Sequence, residues 1–268
     1  MQAREPAKDK SGKQVALVTA GAGGIGLAIA ERLLGEGFTV HVCDTDAVAL
    51  ERFQAGNPGA TASLADVADC AQVETLFAGL EERHGRLDVL VNNAGVAGPT
   101  ARVEDVQPSA WDHTIAVNLS GAFYVARKAV PLLKKQSAGS IVNISSSAAF
   151  FGFPLRSPYA AAKWGLVGLT KTLAMELGPC GIRVNAICPG SVNGPRIDTV
   201  IERDARQRGK TVDEIRTIWA RQTSLRSFVD AQDVAAMVAF LISPAGAKIS
   251  GQAIGVDGHT ESLSSPLD

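Results

Sequence analysis

The stretch that decides the fold is Val15-Ala16-Leu17-Val18-Thr19-Ala20-Gly21-Ala22-Gly23-Gly24-Ile25-Gly26. Its first five residues form an uninterrupted apolar run, which predicts a strand that is buried on both faces. The glycines that follow would allow a sharp turn and a close approach of the backbone to a phosphate group. A helix that begins near Gly24 would direct its free N–H groups at the phosphate charge. The pattern therefore predicts a phosphate-binding turn, although glycine-rich turns with a purely structural role are also common.

Short apolar runs continue to alternate with helical patterns along the whole chain. We predict strands near residues 15–19, 38–43, 60–64, 87–91, 140–144, 182–187 and 252–256. Apolar strands that are each followed by a helix indicate a mostly parallel central sheet of about seven strands with helices on both faces. Right-handed crossovers then give an α/β, doubly wound Rossmann fold. The helical pattern from Trp111 to Lys135 predicts one long helix, and residues 157–177 predict another.

Length and composition favour one domain. The chain has 268 residues, of which 46% are hydrophobic, and this suffices for one large core. We expect a disordered polar tail over residues 1–13 and a single domain over residues 14–268. Residues 197–227 break the alternation because they are rich in charge, and they predict one or two surface helices.

The charge and the cysteines limit the classes of partner. A formal net charge of −1 gives no electrostatic attraction to nucleic acid or to a membrane surface. No apolar stretch is long enough to span a bilayer, and the N-terminus lacks the pattern of a secretion signal. The cysteines form no C-x-x-C pair and no zinc-binding spacing with histidine; they are Cys43, Cys70, Cys180 and Cys188. Unpaired thiols are typical of a reducing compartment, so we expect a cytoplasmic protein without a metal site.

Asp44 ends the second predicted strand, eighteen positions after Gly26 (44 − 26). A carboxylate at this point can accept hydrogen bonds from both hydroxyls of an adenosine ribose, and it would repel a 2′-phosphate. The position therefore predicts NAD as the cofactor. The alternative is a helix N-cap or a turn residue, because Asp44-Thr45-Asp46 precedes a predicted helix.

Tyr159 and Lys163 lie four residues apart on a predicted helix and therefore share a face. Free tyrosine is a poor base at neutral pH because its pKa is about 10, but a nearby ammonium group favours the phenolate. A decrease of about three pKa units requires roughly 4 kcal/mol, which Lys163 and the positive ring of an oxidised nicotinamide could supply together. The pair predicts a proton-transferring tyrosine, although so short a motif also arises by coincidence.

Taken in order, these elements resemble the short-chain dehydrogenase/reductase family over essentially residues 14–258. The resemblance is carried by residues 19–26, Asn92-Asn93-Ala94-Gly95, Asn118, Ser146, Tyr159-Ala160-Ala161-Ala162-Lys163 and Pro189-Gly190. Thirteen residues separate Ser146 from Tyr159 (159 − 146), which matches the usual arrangement of the family. Two positions depart from it. Ala20 stands where the family usually has glycine, and Gly194 stands where it often has threonine.

The resemblance implies a catalytic set of Asn118, Ser146, Tyr159 and Lys163. Tyr159 would be the general acid/base, and Lys163 would lower its pKa and hold the nicotinamide ribose. Ser146 would donate a hydrogen bond to the substrate oxygen. Asn118 would support a water-mediated proton relay to Lys163. The four histidines match no catalytic position of the family.

A cofactor site follows from the same resemblance. Asp66 and Val67 would contact the adenine, and Asn93 would stabilise the sheet beside the cofactor. The whole expected set is Gly21, Gly24, Ile25, Gly26, Asp44, Asp66, Val67, Asn93, Ala94, Gly95, Tyr159, Lys163, Pro189, Gly190 and Val192.

In the family, the segment after Pro189-Gly190 covers the substrate, and here it is about residues 191–228. Basic and acidic residues are interleaved in it, so a solvated helix face is the simplest interpretation. Arg196 could instead reach a carboxylate or a phosphate on the substrate. We expect substrate contacts from Ser146, Phe153, Arg196 and Trp219.

The sequence thus predicts an NAD-dependent oxidoreductase that transfers a hydride between a secondary alcohol or ketone and a nicotinamide cofactor. The substrate would be a polyol, a sugar acid, a hydroxy acid or a cyclic alcohol. One alternative is a 3-oxoacyl thioester reductase that uses NADPH, against which Asp44 argues. Another is a non-enzymatic dinucleotide sensor, which would not need the proton relay. The resemblance also implies a homotetramer formed through the helices at 111–135 and 157–177.

Overall fold

The computed structural model describes residues 12–263, in which strands and helices alternate. The strands are β1 (Val15–Thr19), β2 (Thr39–Asp44), β3 (Thr61–Leu64), β4 (Val89–Asn92), β5 (Gly139–Ile144), β6 (Ile182–Pro189) and β7 (Ala253–Val256). The α-helices are α1 (Gly24–Gly35), α2 (Ala47–Gly56), α3 (Cys70–His84), α4 (Pro108–Ile115), α5 (Gly121–Lys135), α6 (Ser157–Leu177), α7 (Pro195–Arg208), α8 (Val212–Arg221) and α9 (Ala231–Ile242). The tail predicted over residues 1–13 falls almost entirely outside the described residues.

The seven strands of the described chain form one parallel sheet in the order β3-β2-β1-β4-β5-β6-β7. This order confirms the predicted doubly wound Rossmann fold, and the sheet is parallel throughout rather than mostly parallel. The strand order reverses between β1 and β4. In open α/β sheets, ligands bind at such a reversal, outside the carboxyl ends of the strands.

Two hydrophobic layers hold the sheet, one on each face. On one face, Ile29 and Leu33 of α1 pack with Val42 of β2 and Val238 of α9. On the other face, Leu80 of α3 and Leu133 of α5 pack with Leu17 and Leu90 of the sheet. Every residue of β1 is buried, because both of its faces are covered. The two layers therefore explain why the strands are uninterrupted apolar runs.

The helical stretch predicted from Trp111 to Lys135 is present, but it is not α-helical throughout. A π-helical stretch from Ala116 to Ser120 separates α4 from α5. A Cβ atom added at Gly121 would lie 2.7 Å from Cγ2 of Val67, so the backbone of α5 passes close to the loop after β3. Such π segments commonly occur at functional sites, and this one contains Asn118.

The charged segment after β6 forms two helices, α7 and α8, as its pattern predicted. These helices pack mainly on each other around Ile201, Ile215 and Trp219. Phe153, which comes from the loop before α6, packs against the same small cluster. The segment thus has its own apolar centre above the carboxyl ends of the strands. Between residues 12 and 263, no helix is both long and apolar enough to cross a membrane.

Candidate active site

A cavity of about 390 Å³ lies at the carboxyl ends of the central strands. Its wall combines the glycine turn after β1 with the ends of β2, β4, β5 and β6, and with the first turns of α6 and α7. The predicted site residues that form this wall are Gly24, Ile25, Asp44, Asn93, Gly95, Ser146, Phe153, Tyr159, Lys163, Pro189, Gly190, Val192, Arg196 and Trp219. The fold therefore brings most of the predicted residues together at one place.

The turn after β1 is tight and is held by Asn93. The Nδ2 group of Asn93 donates hydrogen bonds to the carbonyl oxygens of Thr19 (3.0 Å) and Ala20 (3.1 Å). A Cβ atom added at Gly26 would lie only 2.0 Å from the Ala20 oxygen, so only glycine fits there. Ala20 itself has a φ of 49°, in the left-handed region that glycine adopts without strain. This departure from the family pattern is tolerated, at a cost of roughly 1–2 kcal/mol for a residue with a side chain.

The first turn of α1 is open toward the cavity. Its N-cap residue, Gly23, makes no side-chain hydrogen bond to the helix, and both Gly23 and Gly24 form part of the cavity wall. A Cβ atom at either glycine would meet no neighbouring atom within 4 Å. Free N–H groups at a helix N-terminus, reached across side-chain-free backbone, suit a phosphate group. This end of the cavity therefore fits the pyrophosphate of a dinucleotide.

Asp44 lies at the end of β2 and also faces the cavity. Its carboxylate accepts hydrogen bonds from the backbone N–H groups of Ala22 (3.2 Å), Thr45 (2.8 Å) and Asp46 (3.3 Å). The N-cap of α2 is Asp46, whose side chain accepts from the Ala49 N–H, so Asp44 is not the cap. A carboxylate has about four acceptor sites, so it can still receive a ribose hydroxyl. Asp44 is thus both a turn residue and a wall residue.

Several predicted residues do not belong to the cavity wall; they are Gly21, Gly26, Asp66, Val67, Ala94 and Asn118. Gly21 and Gly26 give the turn its close packing, and the Ala94 N–H donates to Thr19 Oγ1 (3.0 Å). The side chain of Asp66 accepts a hydrogen bond from the Ala68 N–H (2.8 Å). The adenine contact expected from Asp66 and Val67 therefore stays a prediction.

The chemical end of the cavity is built on α6. Tyr159 is partly exposed there, whereas Lys163, one turn later, is only 3% exposed. The Lys163 ammonium group lies 5.7 Å from the centre of the Tyr159 ring and donates a hydrogen bond to the Ile144 carbonyl (2.9 Å). The bond ties the lysine to the end of β5, so the position of its charge is fixed relative to the tyrosine.

The charges around Tyr159 favour its ionised form. Burial alone raises the pKa of Tyr159, but the nearby positive charges and a hydrogen bond with Ser146 outweigh it, so the pKa lies below its ordinary value of 10.0. The charges are those of Lys163, Arg196 and Arg156. For Lys163 the effect of burial is the opposite, and it lowers the pKa of the ammonium group. Near neutral pH, the phenolate form is therefore more populated in Tyr159 than in a free tyrosine.

Three adjacent serines follow β5, and the structure distinguishes them. Ser145 and Ser147 are buried, and the Ser145 hydroxyl donates to the Lys163 carbonyl (3.0 Å). Ser146 is more exposed and is the serine that is hydrogen-bonded with Tyr159. Its hydroxyl also accepts from the Ala148 N–H (3.2 Å). Ser146 is thus the serine that can reach a substrate oxygen beside Tyr159.

Asn118 holds the loop after β4 rather than lining the cavity. Its side-chain oxygen accepts from the Val96 N–H (2.7 Å), and its Nδ2 group donates to the Val96 carbonyl (3.0 Å). A Cβ atom at Gly95 would lie 2.9 Å from Asn118 Oδ1 and 3.5 Å from Lys163 Nζ, so a side chain at this position would crowd both groups. The relay from Asn118 to Lys163 stays a prediction.

The outer wall of the cavity is mostly apolar. The rings of Phe153 and Trp219 meet edge to face with centres 6.3 Å apart, and the Trp219 N–H donates to Asp204 (3.0 Å). Arg196, in the first turn of α7, donates to the Gly95 carbonyl (3.2 Å). All three predicted residues therefore line the cavity, and their contact with a substrate stays a prediction.

Sequence reasoning missed Arg156, which is 5% exposed and belongs to the cavity wall. Its guanidinium carbon lies 5.2 Å from the centre of the Tyr159 ring and 5.4 Å from that of Phe153. One sequence feature pointed to it, because no other Asp, Glu, Lys or Arg occurs between Lys135 and Lys163. A lone charge in such an apolar stretch, three residues before Tyr159, merits a place among the candidates.

Other reactive side chains lie elsewhere. None of the four histidines belongs to the cavity wall, and His41 is buried between Thr61 and Ser63, which lowers its pKa to about 3 chiefly through burial. Burial also raises the pKa of Cys188 to about 11. In the described part of the chain, no group of three or more His, Cys, Asp or Glu residues could hold a metal ion.

Comparison with known proteins agrees with this geometry. A family model described as enoyl-(acyl carrier protein) reductase matches residues 19–259. The chain is 34% identical over 252 residues to the D-beta-hydroxybutyrate dehydrogenase of Rhizobium meliloti, covering 91% of this chain and 97% of that protein.

Two solved structures are similar over most of the chain. One is an NAD+-bound xylitol dehydrogenase, with 29% identity, a TM-score of 0.87 and coverage of 91% of this chain and 97% of that one. The other is the actinorhodin polyketide ketoreductase with NADPH, with 35% identity, a TM-score of 0.88 and coverage of 92% and 96%. The chain therefore belongs to the short-chain dehydrogenase/reductase family, whose members are oxidoreductases that act on alcohol and ketone groups.

Proposed function

We propose that the protein is an NAD-dependent dehydrogenase that interconverts a secondary alcohol and its ketone, with Tyr159 as the general acid/base. The observation that carries the proposal is the arrangement of Ser146, Tyr159 and Lys163 on one side of the cavity, opposite the glycine turn. A lowered tyrosine pKa beside a fixed ammonium group suits proton transfer at neutral to alkaline pH. A dinucleotide sensor would not need these groups.

In the oxidation direction, the substrate hydroxyl lies between Tyr159 and Ser146. The Tyr159 phenolate accepts the hydroxyl proton while the Ser146 hydroxyl holds the same oxygen by a hydrogen bond. Lys163 keeps the negative charge of the phenolate stable before the proton arrives. When bound, the nicotinamide ring supplies the acceptor for the hydride that leaves the substrate carbon. In the reverse direction, the Tyr159 O–H returns its proton to the developing alkoxide.

The cofactor would be held at both ends of its length. The N–H groups of the first turn of α1 bind the pyrophosphate, and Asp44 accepts hydrogen bonds from the adenosine ribose. Lys163 and the backbone at Pro189-Gly190 border the nicotinamide end. The Asp44 carboxylate supports NAD over NADP because it would repel a 2′-phosphate.

A second candidate is a 3-oxoacyl thioester reductase that uses NADPH. The similarity to the polyketide ketoreductase with NADPH favours it. The carboxylate of Asp44 opposes it, because a protein that binds a 2′-phosphate needs a cation or a neutral side chain at that place.

We also propose a domain organisation, a cellular compartment and an assembly for the protein. Residues 14–268 would act as one domain, with residues 191–228 covering a polyol, sugar acid, hydroxy acid or cyclic alcohol. The cysteines are unpaired, which favours a reducing compartment such as the cytoplasm. In the proposed homotetramer, the helices at residues 111–135 and 157–177 would each pack against the same helix of another subunit.

A substrate panel tests the proposal directly. The purified protein is incubated at alkaline pH with members of the four substrate classes and with NAD+ or NADP+ in parallel, and the absorbance of the reduced cofactor is followed. We expect turnover with NAD+ and at least one secondary alcohol. A parallel reduction assay follows the loss of NADPH absorbance with a 3-oxoacyl thioester. Turnover in that assay alone would favour the second candidate, and the absence of turnover in both assays would contradict both.

A further inference from the structure

Arg156 carries a buried positive charge that favours the Tyr159 phenolate but takes no proton itself in the proposed transfer. It is the residue before α6 and is 5% exposed, so its guanidinium group is almost fully removed from bulk solvent. Arginine cannot give up its proton in a protein, and a buried cation is normally paired with an anion. The position of Arg156 therefore raises the question of which anion compensates its charge.

The described residues supply no permanent anion for this role, because the largest attraction on Arg156 comes from the Tyr159 phenolate, whose charge is lost whenever Tyr159 is protonated. The Nη2 group of Arg156 donates to the Ala97 carbonyl (2.7 Å), whereas its buried Nε group has no hydrogen-bond partner between residues 12 and 263. No carboxylate within that range forms an ion pair with it. Asp204 contributes a weak attraction, but its oxygens are held by Arg208 (2.6 Å) and by the Trp219 N–H (3.0 Å).

The charges of the cavity wall are divided between its two ends. Among residues 12–263, Asp44 is the one acidic residue of the wall, and it lies at the proposed ribose end. The other end holds Lys163, Arg156 and Arg196. Lys163 faces Tyr159 and the Ile144 carbonyl, so two arginines are left beside the substrate position. Apolar side chains such as Phe153 and Trp219 surround them, and this weakens screening of their charge.

We propose that the substrate carries a carboxylate group and that Arg156 binds it, with Arg196 as a second cation at the entrance. The inference rests on the proposed function and narrows its four substrate classes to the acids. Arg156 packs on the rings of Tyr159 and Phe153 rather than on the glycine turn, so the anion belongs to the substrate and not to the pyrophosphate. It would make Arg156 a specificity-determining residue.

The distance from Tyr159 restricts the length of the substrate. The Arg156 guanidinium carbon is 5.2 Å from the centre of the Tyr159 ring. A substrate that reaches both the Tyr159 hydroxyl and the neighbouring Arg156 can have only a few bonds between its carboxylate and the carbon that reacts. A short 2- or 3-hydroxy acid, or the matching oxo acid, meets this requirement. A phosphate dianion would call for more donors than one buried guanidinium and one exposed arginine offer.

The test compares a hydroxy acid with its neutral isostere. We would measure kcat/KM for 3-hydroxybutyrate, for 3-hydroxybutyramide and for glycerol 3-phosphate in the wild type and in Arg156→Met. We expect the wild type to prefer the acid over the amide by about 100-fold, because a desolvated pair of charges contributes strongly to affinity. Arg156→Met should remove most of this ratio through KM, and Arg156→Lys should restore part of it. The control is Arg206→Met, because Arg206 is an exposed residue of α7 outside the cavity wall. This change should leave the ratio of acid to amide unchanged.

The contrary outcomes separate the inference from the proposed function. Three outcomes would overturn the inference while the dehydrogenase activity stands. The wild type could have equal kcat/KM for acid and amide, or it could prefer the phosphate ester. In Arg156→Met, kcat/KM could fall by the same factor for the acid and for the amide. If no substrate is turned over, calorimetry in the presence of NAD+ tests whether Arg156 binds a carboxylate. Acetoacetate should then bind more tightly than acetoacetamide, and Arg156→Met should abolish the difference. Equal binding of the two probes would overturn the inference.

Discussion

Asp44 is the single residue on which the choice of cofactor depends. Like charges at about 4 Å repel by roughly 4 kcal/mol at an effective dielectric near 20, and a 2′-phosphate would also displace the ribose hydrogen bonds. We therefore expect a preference for NAD+ over NADP+ of about two to three orders of magnitude in kcat/KM. The double change Asp44→Ala with Thr45→Arg should shift the preference toward NADP+, because it removes one charge and supplies the other.

The neighbouring aspartate provides the control for this prediction. Asp46→Ala removes the N-cap of α2 and should reduce stability by about 1 kcal/mol without changing the cofactor ratio. A wild type that uses both cofactors equally well, or an Asp44→Ala variant with an unaltered ratio, would show that Asp44 does not face the ribose.

The pKa of Tyr159 determines how activity depends on pH. The phenolate is the active form in oxidation, so the rate should rise with pH through an apparent pKa below the 10.0 of free tyrosine. Removal of a positive charge destabilises the phenolate and moves the midpoint to higher pH. The Arg196→Met variant should therefore show a higher apparent pKa than the wild type.

The pH profile is measured on kcat/KM with a solvent isotope effect that establishes proton transfer as rate-limiting. Lys171→Met is the matched control, because Lys171 lies on α6 but bonds to the Gly251 carbonyl (3.1 Å). A flat profile from neutral to alkaline pH, or equal shifts in the two variants, would speak against the phenolate.

Single residues also show what the sequence could and could not predict. Ser146, Tyr159 and Lys163 lie together as predicted, because their spacing fixes them to the end of one strand and to one helix face. Arg156 was missed because its charge suggests an exposed side chain. In the fold it is buried, with contacts to the Phe153 ring and to the carbonyl of Ala97, which is distant in sequence. The left-handed conformation of Ala20 was equally hidden, since Asn93 imposes it from another strand.

At the level of elements, the strands and the long helical stretch were predicted well, but the π segment inside that stretch was not. The central strands are short buried runs, so the apolar pattern alone marks them. At the π segment, Asn118 bonds to Val96, and the adjoining Gly121 packs on Val67. These contacts join parts of the chain that are distant in sequence, so a helical periodicity does not predict them.

The segment from Ile197 to Ser227 is the element that we expect to move. Its helices α7 and α8 pack mainly on each other, and Arg196 at its start bonds to Gly95 across the cavity. Binding of cofactor and substrate should close this segment over the site and slow its amide exchange. Hydrogen exchange with both ligands, with NAD+ alone and without ligands measures the effect. Equal protection in all three conditions would count against a lid.

At the level of the whole molecule, the long helices leave apolar side chains exposed. Phe123 on α5 is 47% exposed, and Trp164 and Met175 on α6 are 50% and 81% exposed. Such exposure on neighbouring helices is typical of a protein–protein interface. We expect a homotetramer with twofold contacts through these helices, in which the partner copy braces the catalytic helix.

Light scattering measures the assembly at micromolar concentration. Phe123→Glu should lower the mass to that of a smaller species, because a charge would be buried in the contact. Val103→Glu, at a more exposed apolar position (74% exposed) outside α5 and α6, should leave the mass unchanged. A wild-type monomer would remove the prediction.

In the proposed reaction, Tyr159 transfers the proton. Its phenol oxygen can be deleted with almost no change in side-chain volume. Tyr159→Phe should lower kcat by roughly 100- to 10,000-fold, the usual contribution of a general acid/base. Calorimetry should find nearly unchanged NAD+ binding, and circular dichroism an unchanged fold. Tyr124→Phe, at the only other tyrosine of the chain, should keep wild-type turnover. If Tyr159→Phe instead retains more than a small fraction of the wild-type kcat while chemistry is rate-limiting, the proton is moved by another group.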